Sequence, residues 1–349
     1  MAGDIEQEIT KTLRCAKIPE VRECRMPEPL ISVIMPTYNR AKFIGEAVTS
    51  VLNQSWKDLE LIVVDNYSTD DTQQVISSFR DPRLRYYKFF NNGKIGIIAA
   101  TRNYGIQQGR GRYMAFLDSD DVWSVDKLAQ QMDVLEKDKR CQMVFCQFRV
   151  SDASGKLQER IMGPKNFKMN GYIYHKLIRY NFIVCSSVIV RKDILDKIGC
   201  FDERKDLTCS EDFDLWLRIA RNNRVVFLPR ILGAYRLHTL NTNIDNQRLQ
   251  KALNVIDKHL LDGLTGEREA NRAKANFYFR EGWFTIDKDV RFARACFRES
   301  CSLNFYNFKI LFLSLMGLML SFTPFLYKFI RRKELDKKLS RLLLNHQSL

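Results

Sequence analysis

Three carboxylates stand within four residues at Asp118-Ser119-Asp120-Asp121, directly after the apolar run Met114–Leu117. Another acid, Asp65, follows a similar run, Leu61–Val64. In an open α/β sheet, ligands bind in the crevice beyond the carboxyl ends of the strands, so acids placed at strand ends face the expected site. Carboxylates this close raise one another's pKa and destabilise their surroundings unless a cation or hydrogen-bond donors offset them. An oxygen-rich set suits Mg²⁺ or Mn²⁺, which keep waters and bridge to substrate phosphates.

The elements that must carry these acids follow from hydrophobic periodicity. Ile31–Met35, Glu60–Val64, Leu84–Tyr87 and Tyr113–Leu117 read as strands, with helices at Phe43–Leu52, Thr72–Phe79 and Ile98–Gln108 between them. Phe43, Ala47, Val48, Val51 and Leu52 fall on one helical face. Such alternation implies a largely parallel sheet covered by helices. Beyond a helix at Asp126–Lys137 the pattern becomes mixed. Strands are expected at Gln142–Phe148, Ser186–Arg191, Val225–Leu228 and Gly233–Leu237, and helices at Lys192–Lys197 and Phe213–Arg221. From about Asn246 to Ser300 the chain reads helical and basic, without an internal repeat.

Five segments, in order, carry a resemblance to a known family. Ser32–Arg40 (SVIMPTYNR), Val64–Asp70 (VDNYSTD), Ala100–Gly105 (ATRNYG), Phe116–Asp121 (FLDSDD) and Ser210–Arg218 (SEDFDLWLR) resemble the signature of family 2 glycosyltransferases with the GT-A fold. The resemblance spans about residues 30–240. It implies a mixed, mainly parallel, Rossmann-like α/β sheet flanked by helices, with a helical appendage after it. The implied activity is inverting transfer of a sugar from a nucleotide diphosphate donor, usually a uridine one, to an acceptor hydroxyl.

Carried over by position, Asp65 resembles the acid that contacts the nucleotide base, Tyr38 the ring packed near it, and Pro36 and Thr37 the residues that shape the same loop. Arg102 resembles an arginine near the donor phosphates, where a guanidinium pairs with phosphate oxygens. Asp118-Ser119-Asp120 matches the D-x-D motif. Asp120 then resembles the direct ligand of Mn²⁺ or Mg²⁺, and Asp118 the acid that reaches the donor ribose or sugar. His238 resembles a position that helps hold metal or diphosphate. Asp212 resembles the base that removes the acceptor proton, since a sugar hydroxyl is a poor nucleophile until deprotonated, and Glu211 its neighbour. Asp121 reads as a helix cap or a supporting acid, and Asp214 as a helix cap only. Asn66 and Tyr67 stand where the family carries a second acid and a glycine, which leaves base preference open.

Composition narrows the classes. The 349 residues hold 56 Lys and Arg against 41 Asp and Glu, a net +15, with 45% hydrophobic residues, which excludes wholesale disorder and a polytopic membrane protein. The excess is weighted to residues 241–349, with 19 basic and 11 acidic residues, so an anionic partner is expected there. Ile310–Tyr327 carries no formal charge over 18 residues and precedes Lys328, Arg331, Arg332, Lys333, Lys337, Lys338 and Arg341. As a helix it would reach roughly 27 Å at about 1.5 Å per residue, marginal against a hydrocarbon core of about 30 Å, and Pro324 interrupts it. An interfacial or re-entrant helix with basic residues on anionic headgroups fits better, with a buried helix of the appendage as the alternative. The first 30 residues are polar and lack the apolar core of a signal peptide. Nine scattered cysteines without C-x-x-C read as reduced thiols. The expected location is therefore cytoplasmic, peripherally bound to the inner face of the membrane.

The expected layout is a polar lead-in over 1–30 and a GT-A domain over 31–240, its nucleotide-binding half ending at 121 and its acceptor half running over 122–240. A helical appendage over 241–304 and an apolar-basic, membrane-associating segment over 305–349 follow. Expected partners are a nucleotide sugar, a glycan or lipid-linked acceptor of cell-surface polysaccharide synthesis, and an anionic membrane surface. Nucleic acid is not expected, because no zinc-finger, recognition-helix or RNP-type motif occurs. One rival is a haloacid-dehalogenase-like phosphatase with Asp118 as nucleophile, since Asp118–Val122 fits D-x-D-x-[TV]; it leaves Pro36–Arg40, Asp65 and Glu211-Asp212 unexplained. The other is a non-catalytic basic protein that binds membrane or nucleic acid. No motif fixes the sugar, the acceptor, the linkage or the oligomeric state.

Overall fold

Strand β1 (Ile31–Thr37) is buried along its whole length. That burial explains its unbroken apolar sequence, because a central parallel strand is covered on both faces. The computed structural model describes residues 30–90, 98–164, 170–238, 248–303 and 308–322. Helix α1 (Ala41–Leu52), β2 (Leu59–Asp65), α2 (Thr72–Ser77), β3 (Leu84–Lys88), α3 (Ile98–Gln108) and β4 (Tyr113–Phe116) follow, as the alternation predicts. β2 and β4 flank β1 in parallel, and β3 extends the sheet beyond β2. Val33 and Met35 pack with Ile44 and Val48 of α1 on one side, while Ile34 packs with Ala99, Ala100 and Ile106 of α3 on the other.

The second half is mixed. β5 (Val122–Trp123), α4 (Lys127–Lys137), β6 (Cys141–Ser151), β7 (Leu157–Met162), α5 (Tyr174–Leu177), β8 (Ile189–Arg191), α6 (Lys192–Ile198), α7 (Glu211–Asn222) and β9 (Arg224–Arg236) complete a nine-stranded sheet in the order β3-β2-β1-β4-β8-β6-β9-β5, with β7 on β6. β8 is antiparallel to both β4 and β6, and β9 runs parallel to β6. The two short strands expected over 225–237 are one strand. Its register against β6 jumps from Leu228 to Ile231, so Pro229 and Arg230 sit in a bulge. A proline, with no N–H to donate, is tolerated there.

Helices α8 (Arg248–Leu261), α9 (Glu267–Thr285), α10 (Val290–Leu303) and α11 (Phe308–Phe322) form the C-terminal region. α8 enters the main core through Leu249, Leu253, Val255 and Ile256, beside Phe213 and Trp216 of α7. A smaller core gathers Phe279, Ile286, Ala293, Phe297, Ile310 and Leu313. Here Gly282 and Gly317 press on one ring: a Cβ at either position would lie 2.8 or 2.5 Å from Phe297. The apolar segment expected over 310–327 is thus helical to residue 322 and packed by one side; residues 323–327 and the basic run after them lie outside the described residues. Among the described residues no helix is long and apolar enough to cross a membrane. Among the described residues seven cysteines are free, four of them buried.

Candidate active site

The parallel register aligns the strand ends: Ile34 pairs with both Ile62 and Phe116, and Thr37 with Asp65. Thr37, Asp65 and Asp118 therefore share the carboxyl edge of the sheet. Asp65 is fully buried. The Ser68 N–H and Oγ–H donate to its Oδ1 at 2.8 and 2.7 Å, and the Tyr86 hydroxyl donates to Oδ2 at 2.7 Å. Burial and this bond to Asp65 push the Tyr86 phenol well up. The Asn39 N–H donates to Ser68 Oγ, and the Thr69 N–H to Asn39 Oδ1, which ties the loop after β1 to the loop after β2. Pro36 and Thr37 end β1 inside the sheet, while Tyr38 is 37% exposed at its mouth.

Arg40 continues this chain of contacts to the D-x-D segment. Its Nε lies 3.3 Å from Asp120 Oδ2, and His238 Nε2 lies 2.9 Å from the same oxygen. Burial would raise the Asp120 carboxyl, but His238 and Arg40 outweigh it and hold the group below its ordinary value. His238 stacks on Phe43 at a centroid distance of 4.5 Å. Asp121 points elsewhere: the Ser186 hydroxyl donates to its Oδ2 at 2.6 Å and the Arg236 N–H to its Oδ1 at 3.0 Å. Burial, then the charges of Asp120 and Asp118, push this carboxyl well up. Asp121 thus joins the acidic turn to β9 and to Ser186, and caps no helix.

On the far side of the acidic turn, Arg102 lies buried in α3. Its Nη1 donates to Glu211 Oε1 and its Nη2 to Asp118 Oδ1, both at 2.6 Å. These bonds occupy the guanidinium with carboxylates, where the resemblance implied phosphate. Asp212 follows Glu211 at the start of α7, partly exposed, accepting from the Phe213 N–H at 2.6 Å. Burial and the adjacent Glu211 charge raise its carboxyl to about 7, against the opposing pull of Arg102. Arg102 Nε and Glu211 Oε2 are buried without a hydrogen-bond partner. Buried polar atoms left in this state mark a place where the fold gives up stability.

Backbone strain gathers at the same edge. The non-glycine residues with positive φ among the described residues are Asn39 at 52°, Tyr67 at 60° and Cys209 at 69°. One follows β1, one follows β2 and one precedes α7. Left-handed conformations in residues with a Cβ persist where surrounding bonds over-determine them, and they concentrate at functional sites. Tyr67 holds at the position where the family carries glycine, its ring edge-on to Phe90 at 5.1 Å. A concavity of about 460 Å³ between α1 and β5, lined by Glu46, Thr49 and Trp123 among others, includes none of Asp65, Asp118, Asp120, Glu211 and Asp212.

The Asp120–His238 pair offers a carboxylate oxygen and an imidazole nitrogen, donors that suit a divalent cation once Arg40, now on the same oxygen, yields its place. Among the described residues no group of three or more His, Cys, Asp or Glu side chains is arranged to hold a metal unaided. A cation there would draw its remaining ligands from water and from phosphate oxygens, as Mg²⁺ and Mn²⁺ commonly do. Arg40, Ser68, Tyr86 and Ser186 were not singled out from the sequence. Arg40 lies within a quoted segment, but nothing about its position announced that it would meet Asp120, 80 residues on.

The family model for glycosyl transferase family 2 matches residues 32–199. An uncharacterised glycosyltransferase of Rickettsia typhi is 31% identical over 238 residues, 66% of this chain and 69% of its own length. The chain belongs to glycosyltransferase family 2. This glycosyltransferase is also 29% identical over 214 residues to a UDP-Glc:α-D-GlcNAc-diphosphoundecaprenol β-1,3-glucosyltransferase, WfgD, of Escherichia coli, covering 61% of this chain and 79% of that one. It spans about two thirds of two Rickettsia relatives, but only 44% of two longer ones. The mannosyltransferase PcManGT of Pyrobaculum calidifontis, solved with GDP-Man and Mn²⁺, superposes with a TM-score of 0.55 at 18% identity, over 92% of this chain and 86% of that one. That likeness shows the fold, GT-A, including the helical region after the sheet.

Proposed function

We propose that this glycosyltransferase inverts the anomeric centre as it moves a hexose from a nucleotide diphosphate sugar, a uridine donor first, to a hydroxyl of a glycan or lipid-linked acceptor. The observation that carries the reading is the bridge by which Arg102 joins Glu211 to Asp118, at 2.6 Å each, which sets the partly exposed Asp212, its carboxyl raised to about 7, beside the D-x-D turn. A general base works best with a pKa near the operating pH. Asp212 takes the proton of the acceptor hydroxyl as its oxygen attacks the anomeric carbon. The bond from that carbon to the diphosphate oxygen breaks on the opposite face, and the nucleoside diphosphate leaves. Arg102 holds Asp118 and Glu211 in place, so that Asp118 faces the donor ribose or sugar and Glu211 the acceptor. Tyr38 and the loop anchored by Pro36, Thr37 and Asp65 wall the base.

Asp120 and His238 would hold the Mn²⁺ or Mg²⁺, which neutralises charge on the departing diphosphate when bound. WfgD, by its name, uses a UDP-sugar and a lipid-linked acceptor, and PcManGT was solved with GDP-Man and Mn²⁺; both support the reading. The basic C-terminal sequence supports a place at the inner face of a membrane that carries such acceptors. The test is a panel of UDP- and GDP-sugars, each with and without Mn²⁺, with the product's anomeric configuration read by NMR. Retention of configuration, or equal turnover in chelator, overturns the corresponding part. Asp120→Ala is expected to lose the metal-dependent part of donor binding, measured by calorimetry, and on the order of 10²–10³ in rate, as when other charge-stabilising contacts are removed.

A further inference from the structure

Helix α11 (Phe308–Phe322) has two faces. Ile310, Leu313, Gly317 and Leu320 are turned inward against the smaller core, and Ser314 hydrogen-bonds Ser300 at 2.9 Å. The outer face presents Phe312 at 66% exposure, Leu315 at 44%, Met319 at 72% and Phe322 at 55%. Their spacing of three, four and three residues keeps them in one stripe on the helix. No polar residue interrupts that stripe, and a stable globular surface seldom leaves such a run in water without a use.

The end of the stripe adds charge. Arg294 of α10 lies 4.0 Å over the Phe322 ring and donates from Nη2 to Ser321 O at 2.7 Å, so the start of α10 meets the end of α11. The turn from α9 to α10 lies at that end too, with Phe284 63% and Phe292 39% exposed and Lys288 Nζ 4.5 Å from the Phe284 ring. Beyond Phe322 the sequence continues through Lys328, Arg331, Arg332, Lys333, Lys337, Lys338 and Arg341. Exposed aromatics capped by cations, on a flat apolar helix that leads into a basic run, match an anionic lipid surface on both counts.

We propose that the outer face of α11 lies flat on an anionic bilayer, the helix parallel to the surface. This rests on the membrane placement given under the proposed function and names the surface responsible. The helix does not cross; at 15 residues it spans about 22 Å, short of the hydrocarbon core. Because α8 of the same helical region packs on α7, docking here would hold the candidate base helix at a fixed height above the lipid.

The full chain is to be mixed with vesicles of phosphatidylcholine alone or with 30% phosphatidylglycerol and sedimented, at low and high salt. The expected result is binding to the anionic vesicles only, weakened by salt. Phe312→Glu with Leu315→Glu is expected to weaken it about tenfold or more, since burying even one such side chain is worth about a factor of ten. Phe312→Trp reports the face directly, with a blue shift of emission on anionic vesicles. Unchanged binding in the double variant, or no shift in the tryptophan variant, overturns the proposal. So does a fall in molecular mass of the double variant in vesicle-free light scattering, which would assign the face to a second copy of the chain. Transfer to a soluble acceptor analogue separates the two readings. A double variant that transfers normally but loses vesicles supports the docking face, whereas a wild-type chain that binds vesicles but transfers nothing sinks the activity alone.

Discussion

Asp212 and Asp214 stand two residues apart in the first turn of one helix, and their surroundings push them in opposite directions. Asp214 is fully buried. Burial alone would raise it, but His259, Arg218 and Lys258 prevail and hold the carboxyl far below its ordinary range. Its Oδ1 receives Lys258 Nζ at 2.8 Å and His259 Nε2 at 3.1 Å, and its Oδ2 receives Arg218 Nε at 2.9 Å. Tyr174 OH closes the set 3.2 Å from His259 Nδ1. Asp212 has no such company: its recorded bond is to the Phe213 N–H of its own turn, and its carboxyl is raised to about 7. One face of the turn is satisfied and anchors α7 to α8. The other is left short of partners and holds the acid proposed as the base. The difference lies in the face of the turn each acid occupies and in how many donors it meets there, since both are aspartates in the first turn of one helix.

That contrast can be broken from either side. Asp212→Asn removes a group able to accept a proton while keeping its shape. It is expected to lower kcat by about 10²–10⁴, the usual contribution of a positioned general base, with donor affinity unchanged. Transfer at the wild-type rate would remove Asp212 as base. Asp214→Asn should act on folding instead. It leaves Lys258, Arg218 and His259 facing a neutral group in the interior, and breaking a buried ion pair typically costs about 3–5 kcal/mol. A urea titration should show the midpoint falling. If that variant kept its stability and lost turnover, the anchor assignment would fail.

The acids are legible in the sequence, whereas this distinction between them is not. Parallel strand ends are visible as apolar runs followed by aspartate, and those runs placed Asp65 and Asp118 on one sheet edge. Asp214 read only as a cap, because the side chains that define it, Lys258 and His259, arrive 44 and 45 residues later on α8. Arg102 has the same difficulty, as its partner Glu211 is 109 residues away. Periodicity reports which face of an element is buried. It does not report which cation from a distant element meets which carboxylate, and that pairing decides an acid's role. Likewise, Ile310–Tyr327 gave a charge-free run, but only packing against Phe297 separated its inner and outer faces.

The smallest effect is on pH dependence, where the two acids act with opposite sign. An acid whose folded pKa is raised binds more protons folded than unfolded, from its ordinary value of about 4 up to about 7. Stability therefore falls as pH rises through that window, and the penalty is fully present above it. Asp214 behaves oppositely: its contribution is present above the ordinary carboxylate range and is lost only as pH falls below it. Turnover should follow Asp212 alone, rising through about pH 7 to a plateau as the base loses its proton. Asp212→Asn removes the unfavourable charge, so at pH 8 it should be more stable than wild type by about 0.5–2 kcal/mol, the usual gain from relieving a functional strain. At pH 4 the two proteins should melt together, because wild-type Asp212 is then protonated when folded and only partly ionised when unfolded. An Asp212→Asn protein less stable than wild type at pH 8 would mean that the carboxylate is held by favourable contacts, and the division between the two faces of the turn would no longer stand.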